Sequence, residues 1–147
     1  MSGTPSSPGG PRGRRQVSLG RLDRMARALP ETTVADHFGI DSYRVGGRIF
    51  VTVPDSSHVR VMLDEEEIRA LAEQAPETFE PVWWGRRLAA VCVDLRRIGE
   101  AELQELVADA WLRKAPARLS RAWLSEHRPG DGPTSAGRGA AQGRRRT

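Results

Sequence analysis

The sequence predicts an α+β fold of two layers, with helices packed on one face of an antiparallel sheet. Three stretches carry that expectation. Residues 42–53, SYRVGGRIFVTV, alternate in character on both sides of a Gly-Gly pair, the pattern of a hairpin whose tight turn needs positive φ. HVRVML (58–63) repeats the alternation after the turn Pro54-Asp55-Ser56-Ser57. EAELQELVADAWLRK (100–114) recurs at helical spacing instead, with Leu103, Leu106, Val107, Ala110 and Trp111 on one stripe.

In chain order, residues 1–17 are rich in Gly, Pro, Ser and Arg without periodicity and read as a disordered basic tail. Ser18 is placed to cap a helix over 19–29, where Leu19, Leu22, Met25, Ala26 and Leu29 share a face; Pro30 ends it. ETTVADHFGID reads as a loop, followed by hairpin strands near 42–46 and 48–54 and a third strand over 58–63. Asp64 caps a helix over 65–74. Glu65, Glu66 and Glu67 lie in its first turn, where carboxylates complement the helix dipole. Consecutive helical positions splay around the axis, so these three acids do not converge on a metal. ETFEPVWWG reads as an irregular link, RRLAAVCVDL (86–95) as a further strand, and the stretch after Pro116 as a short helix. From there the chain returns to Gly, Pro and Arg. The expected organisation is a tail over 1–17, one domain over 18–126 and a disordered Arg/Gly-rich tail over 127–147.

The net charge of +4 hides a segregation. Residues 1–20 carry +3 and residues 113–147 carry +7, whereas 21–112 set eleven basic against seventeen acidic residues, for −6. The expected domain is acidic and its ends are basic, so general affinity for polyanions would travel with the ends unless the domain has a local basic face. Arginine outnumbers lysine twenty-two to one. The single cysteine, Cys92, forms no internal disulfide and no Cys/His cluster suggests zinc, which points to a reducing cytoplasm. No run approaches the ~20 apolar residues of a membrane span, and the N-terminus lacks the apolar stretch of a secretory signal.

Catalysis finds little support. His37, His58 and His127 are far apart, no nucleophile elbow or phosphate-cradling loop is present, and Cys92 reads as a packed thiol. The sheet offers more. Its alternation puts Tyr43, Val45, Ile49, Val51 and Val53 on the buried face. Arg44, Arg48, Phe50, Thr52, His58, Arg60 and Met62 fall on the other, joined by Leu88, Ala90 and Cys92 if Arg86 opens its strand outward. Four arginines, a histidine and an aromatic on one face suit phosphate and base contacts. The competing reading is an ordinary solvent face whose arginine stems cover strand backbone. Trp83-Trp84 before Gly85 divide similarly, one expected to anchor the core and the other partly exposed.

The ordered motifs resemble the MmcQ/YjbR family. They are Ala28-Leu29-Pro30, YRVGGRIF (43–50), VRVMLDEEEIRAL (59–71), VWWG before a late strand ending VDL, and ELVADAWLRKAPARL (105–119). The resemblance covers roughly 20–125 and implies a CyaY-like (frataxin-like) α+β fold with a double-wing motif and a predicted DNA-binding role. Leu88 stands near where members often carry a Gly-Trp pair entering the late strand. Frataxin-like folds also raise iron binding, but the first helix here has Asp23 as its only acid, so neither a metal nor another cofactor is expected.

The sequence thus leads to a non-enzymatic DNA-binding protein of low sequence specificity. Its candidate contacts are Arg44, Arg48, Phe50, His58, Arg60 and Arg86 on the sheet, with Arg12, Arg14, Arg15, Arg144, Arg145 and Arg146 adding phosphate contacts from the tails. The alternative is a small protein- or ligand-binding domain using the Trp83-Trp84 region, with tails that only solubilise. Limited proteolysis should trim both ends quickly and leave a fragment near 20–125. Protection extending through 130–147 would contradict the tails.

Overall fold

The computed structural model describes residues 16–127, so the tail arginines Arg12, Arg14, Arg15, Arg144, Arg145 and Arg146 lie outside the described residues. The chain divides at Pro116. The first unit runs α1 (Leu19–Arg27), β1 (Thr33–His37), β2 (Ile40–Val45), β3 (Arg48–Asp55), β4 (His58–Val61), α2 (Glu65–Gln74), β5 (Phe79–Trp84), β6 (Arg87–Asp94), a 3-10 turn (Leu95–Arg97) and α3 (Glu100–Lys114). The second unit begins with α4 (Ala117–Glu126), where Trp123 stacks on His127 at 4.2 Å between ring centroids.

Both predicted caps are present. The Ser18 hydroxyl accepts from the Arg21 amide at 3.1 Å, and the Asp64 carboxylate accepts from the Glu67 amide at 2.8 Å. Each satisfies an amide that the first helical turn leaves without a backbone partner.

The six strands form one antiparallel sheet in the order β1-β2-β3-β4-β6-β5. The sequence accounts for four of them and takes the other two, β1 and β5, for a loop and a link. Those two are the sheet's edges. TVADH and FEPVWW bury little, and Pro81, which has no amide to give a ladder, is tolerated at an edge, so neither shows the alternation of a half-buried strand. Gly46 and Gly47 have φ of +61° and +79°, the two positive values that a tight hairpin between β2 and β3 needs. Gly85, at +67°, opens the turn between β5 and β6, and Arg86 occupies that turn rather than a sheet face.

Helices cover one face. Tyr43, Val51, Val61 and Val91 stand side by side across β2, β3, β4 and β6, and the Tyr43 hydroxyl donates to Asp23 of α1 at 2.7 Å. Three one-residue register shifts break the alternation, one of them between Thr52 and Asp55 where β3 pairs with β4. Tyr43 pairs with Val51 but Arg44 with Ile49, which makes Phe50 the extra residue on β3; Val82 pairs with Ala90 but Trp83 with Leu88, which makes Ala89 the extra residue on β6. A bulge turns the following side chains over. Phe50 therefore joins Val51 in the core, fully buried, instead of standing on the open face as its parity suggests, and Leu88 turns inward too. Thr52, Met62 and Ala90, also expected outside, are buried.

Trp111 is the largest fully buried side chain, and its indole Nε1 donates to the Pro30 carbonyl at 3.1 Å, tying α3 to the end of α1. Trp83 and Trp84 are both half-exposed, so neither is the anchor expected of that pair. Each is paired with an arginine instead, Arg69 over Trp83 at 5.7 Å and Arg87 over Trp84 at 5.8 Å from the ring centroids.

Between α2 and α3, Glu67 shares a hydrogen bond with Asp109. Burial, then the nearby Asp109 charge, pushes the Glu67 carboxyl up from 4.5 to about 8. Trp111→Ala should destabilise the fold by about 3–5 kcal/mol in denaturant titrations, the range for emptying a large aromatic site; a loss under about 1 kcal/mol would place the helix face elsewhere. Glu67 binds its proton more tightly folded than unfolded. Its contribution is therefore complete below the unfolded value and disappears as pH rises through the folded one. Stability should decline between about pH 5 and pH 8, and Glu67→Gln should flatten that slope.

Candidate functional site

The geometry of interest begins with a short strand. β4 has four residues between the eight-residue strands β3 and β6. Val61 pairs with Val51 on one side and Val91 on the other; beyond that row β3 continues to Arg48 and β6 to Arg87 without a strand between them. The Met62 amide makes one further bond, to the Phe50 carbonyl at 3.0 Å, before the chain leaves for α2. Two hairpins, β2–β3 and β5–β6, thus extend past the end of β4 as separate wings.

Between the wings lies a cleft of about 580 Å³. Ile49, Met62, Leu63, Leu88 and Ala89 supply apolar lining, Trp84 an aromatic wall, and Arg44, Arg87, Arg113 and Lys114 positive charge. Arg44 stands on β2 with its Nε donating to the buried Ser42 hydroxyl at 3.1 Å. Arg113 and Lys114 come from the last turn of α3, where cations complement the helix dipole. That bland role accounts for two cations at a helix end. It does not account for the arginines that both wings bring toward them. Lys114 has its proton affinity lowered first by burial and then by the charges of Arg48, Arg113 and Arg87, one from each wing and one from its own helix.

Ion pairing separates two populations of arginine. Arg21 pairs with Glu100, Arg27 with Asp23, Arg69 with Glu65, Arg96 and Arg97 with Asp94, and Arg113 with Asp64. Among the described residues, Arg44, Arg48, Arg60, Arg86, Arg87 and Lys114 on the sheet and cleft have no carboxylate partner, nor do Arg24 on α1 and Arg121 on α4. Neither wing tip, 43–50 or 82–90, contains an acidic residue.

The sequence candidates distribute unevenly over this site. Arg44 lines the cleft, Arg48 and Arg86 are exposed at the two wing turns, and Arg60 lies mid-sheet between Thr52 and Cys92. His58 belongs to the opposite, acidic end: its Nδ1 is 3.0 Å from Asp55, and it pairs in register with Asp94. Hydrogen bonds from Arg96 hold the Asp94 carboxyl below its usual range. Burial pushes the Cys92 thiol up, which suits a packed group. Phe50, the expected aromatic contact, is in the core, and Trp84 takes the open position. Sequence reading missed Arg87 and Lys114. A signal existed for each: Arg87 follows the Gly85 turn, and Lys114 is the single lysine among twenty-two arginines.

Among the described residues no group of three or more His, Cys, Asp or Glu could hold a metal ion, and no helix is long and apolar enough to cross a membrane.

A comparison with curated proteins finds no match. Among solved structures, the crystal structure of a Deinococcus radiodurans protein with a DUF419 family-model domain is similar, with a TM-score of 0.62. The likeness covers 78% of this chain and 90% of that one at 18% identity, a level that speaks for the shared fold. A family model described as YjbR matches residues 27–113, a stretch that starts at the end of α1, takes in all six strands and both wings, and stops beside Lys114. The chain belongs to the YjbR family.

Proposed function

We propose that this protein is a non-enzymatic DNA-binding protein that grips the phosphate backbone with its two wings. The observation that carries this reading is the convergence of unpaired positive charge from both hairpins in a unit that is acidic overall. Arginines elsewhere in the unit are largely answered by carboxylates, so the wing charges are the ones available to an external anion. Guanidinium groups present planar donors matched to phosphate oxygens and remain charged at any physiological pH.

In this reading Arg48 and Arg86 at the turns, with Arg44 and Arg87 on the facing strands, contact successive backbone phosphates. The flanking Arg-rich ends of the chain add non-specific affinity. Selectivity among sequences is low, because phosphate contacts position a protein without reading bases. Arg60, set back from the tips, contributes less, and His58 contributes nothing, since two carboxylates already flank it.

Replacing Arg44, Arg48, Arg86 and Arg87 together by Gln in the full-length chain should weaken duplex binding with the fold intact. The slope of log affinity against log salt should fall by about 0.9 for each phosphate no longer neutralised, hence by roughly 3 to 4. The weakening should be equal on unrelated duplexes. An unchanged slope would leave all affinity with the chain ends and end the wing reading.

A further inference from the structure

Backbone binding by the wing arginines leaves Lys114 and Trp84, which line the same cleft, unused. The cleft's chemistry is more particular than a phosphodiester requires. The two carboxylates in its lining are already engaged, Asp64 with Arg113 at 3.6 Å and Glu65 with Arg69 at 3.0 Å. Arg44, Arg87 and Lys114 remain without a carboxylate partner among the described residues. Three unanswered cations around one partly desolvated space suit a dianion better than the single charge of a backbone diester. A phosphate monoester carries close to two charges at pH 7.

The rest of the lining says what the phosphate is attached to. Half-buried Ile49 offers apolar surface, with the largely buried Met62 and Leu88 contributing their edges to the lining, and Trp84 has an exposed ring. A bare inorganic anion would gain nothing from those groups, whereas a flat ring would. Aromatic side chains of this kind are stacking platforms that accept any base. The cleft's size falls within the range that takes small organic ligands.

We propose that the cleft between the wings is a binding site for a nucleotide bearing a terminal phosphate, with the phosphate on Lys114, Arg87 and Arg44 and the base against Trp84. The same chemistry is offered by a free mononucleotide and by the 5′-phosphorylated end of a DNA strand. The site shares Arg44 and Arg87 with wing binding of duplex backbone and adds Lys114 and Trp84, which that binding does not use, so either can fail alone. Lys114 acts here as a compact point charge, and its depressed proton affinity rises when the dianion arrives.

The single lysine makes the test direct, because the 147-residue chain has only two primary amines, Lys114 and its α-amino group. Acylation by acetic anhydride, read by mass spectrometry at both amines, uses the α-amino group as internal reference. Deoxyadenosine 5′-monophosphate should slow Lys114 acylation by about tenfold or more relative to that reference. Deoxyadenosine should not, and orthophosphate should do so only at much higher concentration. Trp84→Ala should weaken protection by the mononucleotide by about tenfold, as loss of one stacking platform does. Trp83→Ala, across the wing, should leave it unchanged. Arg48→Gln with Arg86→Gln, outside the cleft lining, should lower duplex affinity and spare mononucleotide protection, which separates this site from the wing reading. A 5′-phosphorylated single strand that protects at lower concentration than the mononucleotide identifies strand ends as the source; protection by the mononucleotide alone identifies the free nucleotide. The proposal is overturned if the mononucleotide gives no protection at millimolar concentration, if orthophosphate protects equally well, or if Trp84→Ala changes nothing.

Discussion

The brevity of β4 is the constraint on which the rest of the molecule depends. A sheet is held by its ladders, and an eight-residue strand with a four-residue neighbour has nothing to bond to along half its length. β3 and β6 solve this by pairing outward, with β2 and β5, so that each end of the sheet becomes a hairpin. The chain that would have filled the space turns away after Leu63 and starts α2 under the Asp64 cap. The cleft is therefore built into the strand lengths. Side chains then decide what it holds.

Bulges decide which side chains those are. With one extra residue on each inner wing strand, Phe50 and Leu88 turn toward the helices, and Arg44, Ile49, Trp84 and Arg87 are left on the open side near the tips. Strict alternation read along 48–53 or 86–93 has no means of seeing this, because a bulge is a property of the pairing between two strands rather than of either sequence. That is why the hairpin at Gly46-Gly47, both helix caps and the Trp111 stripe were legible, while the aromatic assigned to the open face was the wrong one. The two edge strands were missed for a different reason. Edges bury little, so TVADH and FEPVWW carry no periodic signal.

Charge on this domain follows the same division. On the helices and below the sheet, carboxylates lie within reach of arginines, and exposed pairs of that kind add little to stability. At the wings the partners are missing, and burial, then the like charges of Arg48, Arg113 and Arg87, depress the proton affinity of Lys114. Mutual repulsion in a partly buried cleft opposes folding. The fold carries it beside well-packed neighbours such as Leu88 and Phe50. Such a concentration of unsatisfied charge is better explained by an anion that visits than by stability. Composition concealed it, because the domain's acids, summed over 21–112, outnumber its bases.

The choice of lysine at 114 fits that view. A guanidinium there would keep its full charge under all physiological conditions and would meet three others of its kind. An ammonium whose proton affinity is lowered by burial and then by those neighbours holds its charge less firmly than a guanidinium would, which makes the empty state less unfavourable. Its charge is also compact, so it can approach one oxygen of a phosphate without the fixed geometry of a planar fork. The consequence is a linkage between ligand and proton: at pH values near the depressed Lys114 value, binding a dianion draws a proton from solution, and affinity falls as pH rises. The arginines keep the wings charged whether or not anything is bound, and the lone lysine lets the cleft between them respond to its occupant.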